Sequence, residues 1–125
     1  MTSFDHLSLC ATNLDNSISF FTDVVGLTLV SRREDDSQAV FQVGESLLVL
    51  FHGDAYQSID TDIRSGMHHV AFCLDSDAYD GVLLRLQERA LPYRGPTMNK
   101  GAHGEGLATY FRDPDGNELE IKKYG

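Results

Sequence analysis

Three short stretches of the 125-residue chain carry side chains able to do chemistry together. His6 stands in FDHLSL, the pair His68-His69 heads MHHVAFC, and Glu118 and Glu120 alternate through NELEIKK near the end. Two neutral imidazoles and a carboxylate form a donor set suited to a divalent transition metal with positions left open for substrate or water. Whether they can meet depends on which way each points. Successive side chains of a strand face opposite sides, so His6 shares its face with Phe4, Ser8 and Cys10, while Leu7 and Leu9 point away. By the same rule His69 lies with Met67, Ala71 and Cys73, and His68 goes to the side of Val70, Phe72 and Leu74. Glu118, Glu120 and Lys122 share one face of the last strand, with Leu119 and Ile121 on the other. His6, His69 and one of the two glutamates thus lie opposite the apolar faces. Ligands from distant strands have no short-range signature comparable to HExxH. On spacing alone, the same residues also read as strand histidines near a solvent edge and glutamates on an exposed face.

The elements that must position these groups follow from hydrophobic period and turn residues. Phe4 to Cys10 predicts a strand; Asn13 can cap a helix with Leu14, Ile18, Phe21 and Val25 on one face, and Gly26 stops it. Leu27–Arg33, Ala39–Val43 and Ser46–His52 predict three further strands. After a polar connector, 54–65, the order repeats. Met67–Leu74 predicts a strand and Asp77–Ala90 a helix with Tyr79, Leu83, Leu86 and Ala90 inward. Leu91–Pro96 predicts a short strand, and Leu107–Arg112 and Asn117–Lys123 a hairpin around Asp113-Pro114-Asp115-Gly116. Each half is βαβββ. His6-Leu7-Ser8-Leu9-Cys10 and His69-Val70-Ala71-Phe72-Cys73 share a His-apolar-x-apolar-Cys pattern, and the same offset puts Phe20 and Phe21 on Leu83 and Leu84. An internal duplication accounts for both.

The length fits one domain, residues 1–125, made of modules at about 1–53 and 66–125. A net charge of −9 repels phosphate backbones, so nucleic acid and anionic membranes are excluded as partners. No apolar run reaches the length of a bilayer span and no leader pattern opens the chain, which predicts a cytoplasmic protein. Cys10 and Cys73 read as buried thiols. Gly101, Gly104 and Gly106 do not separate a strand from a helix start, so a nucleotide loop is not expected.

FDHLSL, HHVAF and YFRDPDGNELEI together resemble the vicinal oxygen chelate superfamily, which includes glyoxalase I, extradiol ring-cleavage dioxygenases, fosfomycin-resistance enzymes and bleomycin-resistance proteins. The resemblance spans essentially the whole chain. Its DPDGNxxE piece implies that Glu120, rather than Glu118, is the last metal ligand, with His6 and His69 as the other two. It implies an α+β fold in which two paired βαβββ modules form an eight-stranded open, partly closed sheet with helices outside. Glyoxalase I-like members add a carboxylate on the fourth strand, where this chain has Leu47-Leu48-Val49-Leu50-Phe51.

His103-Gly104 and Tyr110 have the spacing of a segment in extradiol dioxygenases whose His is an acid/base and whose Tyr hydrogen-bonds a substrate oxygen. That implies catalytic roles for His103 and Tyr110, although AHGEG replaces the usual DHGVS and GEG before YF is shared with fosfomycin-resistance proteins. His52 and Arg94 could line the pocket and read better as surface. The first expectation is a dioxygenase acting on a catechol-like small molecule with Fe(II). The alternatives are a lyase, isomerase or thiol transferase with Mn(II), Zn(II) or Ni(II), and a small-molecule binding protein of the bleomycin-resistance type. A homodimer is expected in each case.

Overall fold

The computed structural model describes residues 2–53 and 69–125. Met67 and His68, and with them the expected sidedness of His68, lie outside the described residues. The chain divides into two compact units, residues 1–65 and 66–125.

The first unit runs β1 (His6–Ala11), α1 (Leu14–Phe20) with a π-helical turn (Phe21–Val25), β2 (Thr28–Arg32), β3 (Gln38–Val43) and β4 (Ser46–His52). The Asn13 side chain caps α1 by accepting from the Asn16 amide at 3.0 Å, and Gly26, at φ 86°, closes the helical segment. The inward face differs from a simple 3.6-residue stripe. Phe20 and Phe21 are both buried, as are Val24 and Val25, whereas Ile18 is only half-buried. The wider π turn inserts a residue into the period, and the Thr22 hydroxyl bonds the Ile18 carbonyl at 2.8 Å at that point. Phe21 then packs against Phe41 of β3, ring centroids 5.7 Å apart.

The second unit repeats the order: β5 (Val70–Cys73), α2 (Ser76–Glu88), β6 (Tyr93–Gly101), β7 (Gly104–Arg112) and β8 (Glu118–Lys123). Asp75 caps α2 by accepting from Ala78 N at 2.8 Å. Tyr79, Val82 and Leu86 are its buried residues; Leu83 is half-buried, and Ala90 lies exposed beyond the helix at φ 53°. The helix starts before the expected bound because Asp75, not Asp77, supplies the cap, and it ends early as Ala90 takes up a left-handed conformation. β6 is longer than expected and β7 starts earlier, so the glycine-rich run 101–106 is a hairpin with Gly101 opposite Gly104. Glycines leave no hydrophobic alternation to read, which hides a strand whose backbone is nonetheless paired.

The fold is α+β, with two βαβββ modules and eight strands hydrogen-bonded as two four-stranded sheets, ordered β1-β4-β3-β2 and β5-β8-β7-β6. In each, the first strand runs parallel to the last and the others antiparallel. Face assignment follows the alternation. Phe72, Phe111, Leu119 and Ile121 are buried, and the Tyr79 hydroxyl of α2 reaches Thr109 Oγ1 at 2.5 Å on that same side of the second sheet. Cys10 is half-buried and Cys73 exposed, so the expectation of two buried thiols does not hold: both lie on the face away from the apolar residues.

The register sets residues of all four strands of each sheet opposite one another in rows, and one pair of rows corresponds between the modules. Ser8, Val49, Val40 and Ser31 line up in the first; Ala71, Glu120, Tyr110 and Arg94 line up in the second. Val49 therefore occupies the position in the first module that Glu120 occupies in the second.

The turn between β7 and β8 is held by Asp113. Its buried carboxylate accepts from the amides of Asp115 (3.0 Å) and Asn117 (2.8 Å) and from Asn117 Nδ2 (2.9 Å). Removing these acceptors by Asp113→Ala should lower stability by about 2–4 kcal/mol in urea unfolding. Burial raises the Asp113 pKa above its ordinary 3.8, against the opposing pull of the Asn117 and Asp115 bonds. The folded chain thus holds this proton more tightly than the unfolded one. The stability difference between the unaltered chain and Asp113→Asn should therefore be most favourable below pH 3.8 and fall as pH rises through the raised value.

Candidate functional site

Glu120 sits on β8, flanked by Ala71 of β5 on one side and Tyr110 of β7 on the other. Its side chain is 7 % exposed, and its Oε1 lies 3.0 Å from Nε2 of His69, the residue just before β5. Tyr110 is the cross-strand neighbour of Glu120, and its ring stands edge-on to His69 with centroids 5.9 Å apart. Burial, then the neighbouring Glu120 carboxylate, raise the Tyr110 pKa above 10, against Asn99 and Arg94, which lower it. Tyr110 is therefore a neutral phenol, able to donate, at any ordinary pH.

The two glutamates that spacing leaves equivalent have different partners. Glu118 pairs with the Arg94 guanidinium, which lies 4.7 Å over the Tyr110 ring. Glu120 faces His69. Arg94 is thus part of the Tyr110 surroundings rather than plain surface. His52, in the first unit, directs Nδ1 to the Asp36 carbonyl at 3.1 Å.

His103 is exposed at the tip of the β6–β7 hairpin, its ring edge-on to Tyr124 at 5.1 Å. It nevertheless lines a cavity of about 290 Å³ together with His69, Cys73, Glu120, Lys122 and Tyr124. Tyr110 and Arg94 border a second cavity, of about 650 Å³, with Tyr93, Arg112 and Glu118. The second unit therefore gathers His69, Glu120, Tyr110 and His103. His6 belongs to the first unit, at the head of β1, where its Nδ1 lies 2.6 Å from Asp5 Oδ2. Among the described residues no group of three His, Cys, Asp or Glu side chains is gathered closely enough to hold an ion.

What the second unit supplies fits half of such a centre. Two donor atoms 3.0 Å apart match neighbouring positions around an ion with bonds of about 2.0–2.2 Å. A carboxylate on Nδ1 of His6 is the usual second partner of a metal-binding imidazole, leaving Nε2 for the ion. Sequence reasoning missed Asn99, which donates to the Tyr110 hydroxyl at 2.6 Å, because β6 was expected to end at Pro96. It placed Lys122 on the right face without giving it a role.

The family model of the Glyoxalase/Bleomycin resistance protein/Dioxygenase superfamily matches residues 3–121. Glutathione transferase FosA of Serratia marcescens is 30% identical over 121 residues, 97% of this chain and 80% of that protein. Metallothiol transferase FosB of Shouchella clausii is 29% identical over 123 residues, 97% and 80%. Catechol-2,3-dioxygenase of Bacillus subtilis is 25% identical over 121 residues, 96% of this chain but 41% of that protein. In fold, the chain resembles a glyoxalase/dioxygenase structure from Nostoc punctiforme with a TM-score of 0.79 at 21% identity, covering 98% of this chain and 91% of that one.

The cavity wall depends on a close backbone approach. A methyl on Gly106 would overlap the Lys123 carbonyl and the Tyr124 ring, so Gly106→Ala must push the C-terminal segment outward. We expect it to cost about 1–3 kcal/mol in urea unfolding, while Gly44→Ala, which meets no neighbouring atom but has a φ of 57°, costs only backbone strain of about 1 kcal/mol.

Proposed function

We propose, from the premise that the chain belongs to the Glyoxalase/Bleomycin resistance protein/Dioxygenase superfamily, that it is a metal-dependent enzyme joining a thiol to an electrophilic small molecule. The observation that carries the choice of chemistry is coverage. The chain accounts for 80% of each of the proteins named above as a glutathione transferase and a metallothiol transferase, but only 41% of the one named a catechol dioxygenase. On this reading His6, His69 and Glu120 hold the ion, which supplies polarisation of a carbonyl or epoxide oxygen.

The chain's own residues have distinct tasks. Tyr110 offers a neutral O–H beside Glu120. His103, lining the cavity with His69 and Glu120, is placed to take the thiol proton on a ring nitrogen and return it to the oxygen released from carbon. Cys73 lies in the same cavity, but the incoming thiol is external and its sulfur forms the new bond. Two chains, each carrying both modules, form the functional dimer.

One observation favours a second reading. His103 shares its cavity with His69 and Glu120, with Tyr110 adjacent, as an acid/base and substrate-binding pair of a ring-cleavage enzyme would. In that case the ion is Fe(II) and turnover consumes O2.

Elemental analysis of freshly purified protein, followed by thiol-plus-epoxide and catechol panels with and without O2, separates the two. The expected result is one divalent ion per chain and thiol-dependent, oxygen-independent turnover with Mn(II), Zn(II) or Ni(II). Iron with oxygen-dependent ring cleavage would replace the first reading by the second, and no saturable ion binding would sink both. His69→Ala and Glu120→Ala should each abolish ion binding, whereas His68→Ala should leave it largely intact.

A further inference from the structure

His103 is exposed on the turn between Gly101 and Gly104, the last opposed pair of the β6–β7 hairpin. A glycine-flanked loop tip is where backbone mobility concentrates. A group that takes and returns a proton must instead stay within hydrogen-bond reach of it. His103 lines the cavity of about 290 Å³ with His69 and Glu120, so its place on that wall needs a physical support.

Lys122 and Tyr124, at the end of β8 and just beyond it, supply one. Lys122 is only 4% exposed, and its Nζ donates to the Asn99 carbonyl (2.8 Å), to Asn99 Oδ1 and to the Gly106 carbonyl (3.3 Å). Asn99 and Gly106 are an opposed pair of β6 and β7, two pairs back from the tip, so one ammonium group ties both strands of the hairpin together. The same Nζ lies 5.4 Å from the centre of the Tyr124 ring, and that ring meets the His103 ring edge-on at 5.1 Å. Both contacts are made by the tyrosine ring rather than its hydroxyl. Glycines leave room for that ring: a methyl on Gly101 would overlap the Tyr124 hydroxyl, and one on Gly106 would come 2.9 Å from Tyr124 Cδ1. Ammonium, phenol and imidazole thus follow one another from the base of the hairpin to its tip.

We propose that Lys122 and Tyr124 are positioning residues that hold the His103 imidazole on the wall of the cavity, Lys122 by clamping the two strands below the tip and Tyr124 by bearing the ring itself. Neither exchanges a proton with substrate. The catalytic consequence rests on the reading of His103 as the group that takes the thiol proton and returns it to the released oxygen; the anchoring does not.

Tyr124→Leu, Tyr124→Phe and Lys122→Met provide the test, read by the 15N order parameter of the His103 amide and by thiol-plus-epoxide kinetics. The order parameter should be about 0.85 in the unaltered chain and fall below about 0.6 in Tyr124→Leu and Lys122→Met. In Tyr124→Leu, kcat should fall by up to about 100-fold while KM for the epoxide stays unchanged. Added to His103→Ala, Tyr124→Leu should cost nothing more, and Tyr124→Phe, which keeps the ring, should recover most of what Tyr124→Leu loses. A residue that only packed would lower the urea midpoint without this split between kcat and KM. Should Lys122→Met not fold, Asn99→Ala, which deletes one of the three oxygens around Nζ, carries the same expectation at smaller amplitude. A His103 amide as rigid in Tyr124→Leu as in the unaltered chain overturns the proposal, as does a freed His103 with undiminished kcat, or a loss that Tyr124→Phe fails to recover. Should the unaltered chain turn over no thiol, the thiol-transfer reading fails by itself, and the order parameters alone decide the anchoring: a fall in Tyr124→Leu that is absent in Tyr124→Phe supports it, and equal values in all three refute it.

Discussion

A carboxylate held almost entirely out of water is the constraint around which the second unit is built. Burying an ionised Glu costs several kcal/mol unless charge and hydrogen bonds replace the lost hydration. Glu120 has His69 at hydrogen-bond distance on one side and Tyr110 as its cross-strand neighbour on the other. Both partners exist because β8 is an inner strand, with β5 and β7 each supplying a neighbour. Placing β8 there requires a parallel crossing from β5 through α2 and a tight antiparallel return from β7 through the Asp113 turn. The fold thus serves the carboxylate by surrounding it, and the opposite face of the same strand, Leu119 and Ile121, anchors the sheet under α2.

The two modules show what duplication leaves free to change. Their strand orders and registers coincide, yet the row of Ala71, Glu120, Tyr110 and Arg94 is Ser8, Val49, Val40 and Ser31 in the first module. Valines at those two positions need no partners, so that sheet has no buried charge to satisfy on the row. The first module keeps one polar investment at the head of its first strand, His6 with Asp5. The donor set proposed for the ion is therefore unequal, with one imidazole from one unit and the imidazole, carboxylate and their hydrogen-bond support from the other.

Much of this was legible from alternation alone. The two βαβββ orders, the Asn13 cap, the DPDG turn and the sidedness of β1, β5 and β8 follow from local rules, because each depends on neighbours a few residues away. The family resemblance singled out Glu120, and the structure gives the two glutamates physically different surroundings. What could not be read was of two kinds. The π turn at Phe21 shifts a period that sequence patterns assume to be constant. The β6–β7 hairpin is built from glycines and polar residues whose pairing is specified by the strands around it. Asn99 was invisible for that reason, and Lys122, although placed on the correct face, acquires its meaning only from a residue two strands away.

The choice of lysine at that position follows from what other side chains would do. A glutamine could reach across Ala108 and bond Asn99 equally well, but it both donates and accepts, so either orientation of the Asn99 amide would satisfy it. An arginine would spread its donors in a plane, whereas the three oxygens around Nζ, two from Asn99 and one from Gly106, surround a point. The ammonium also lies 5.4 Å from the centre of the Tyr124 ring, which adds cation–π stabilisation without introducing an acceptor that could compete for its protons. Tyr124 in turn can lie there only because Gly101 and Gly106 carry no side chains to exclude it. Hairpin glycines, Tyr124 and a buried lysine therefore form one packing unit, and Lys122 at its centre turns the Asn99 amide so that its NH2 donates to the Tyr110 oxygen.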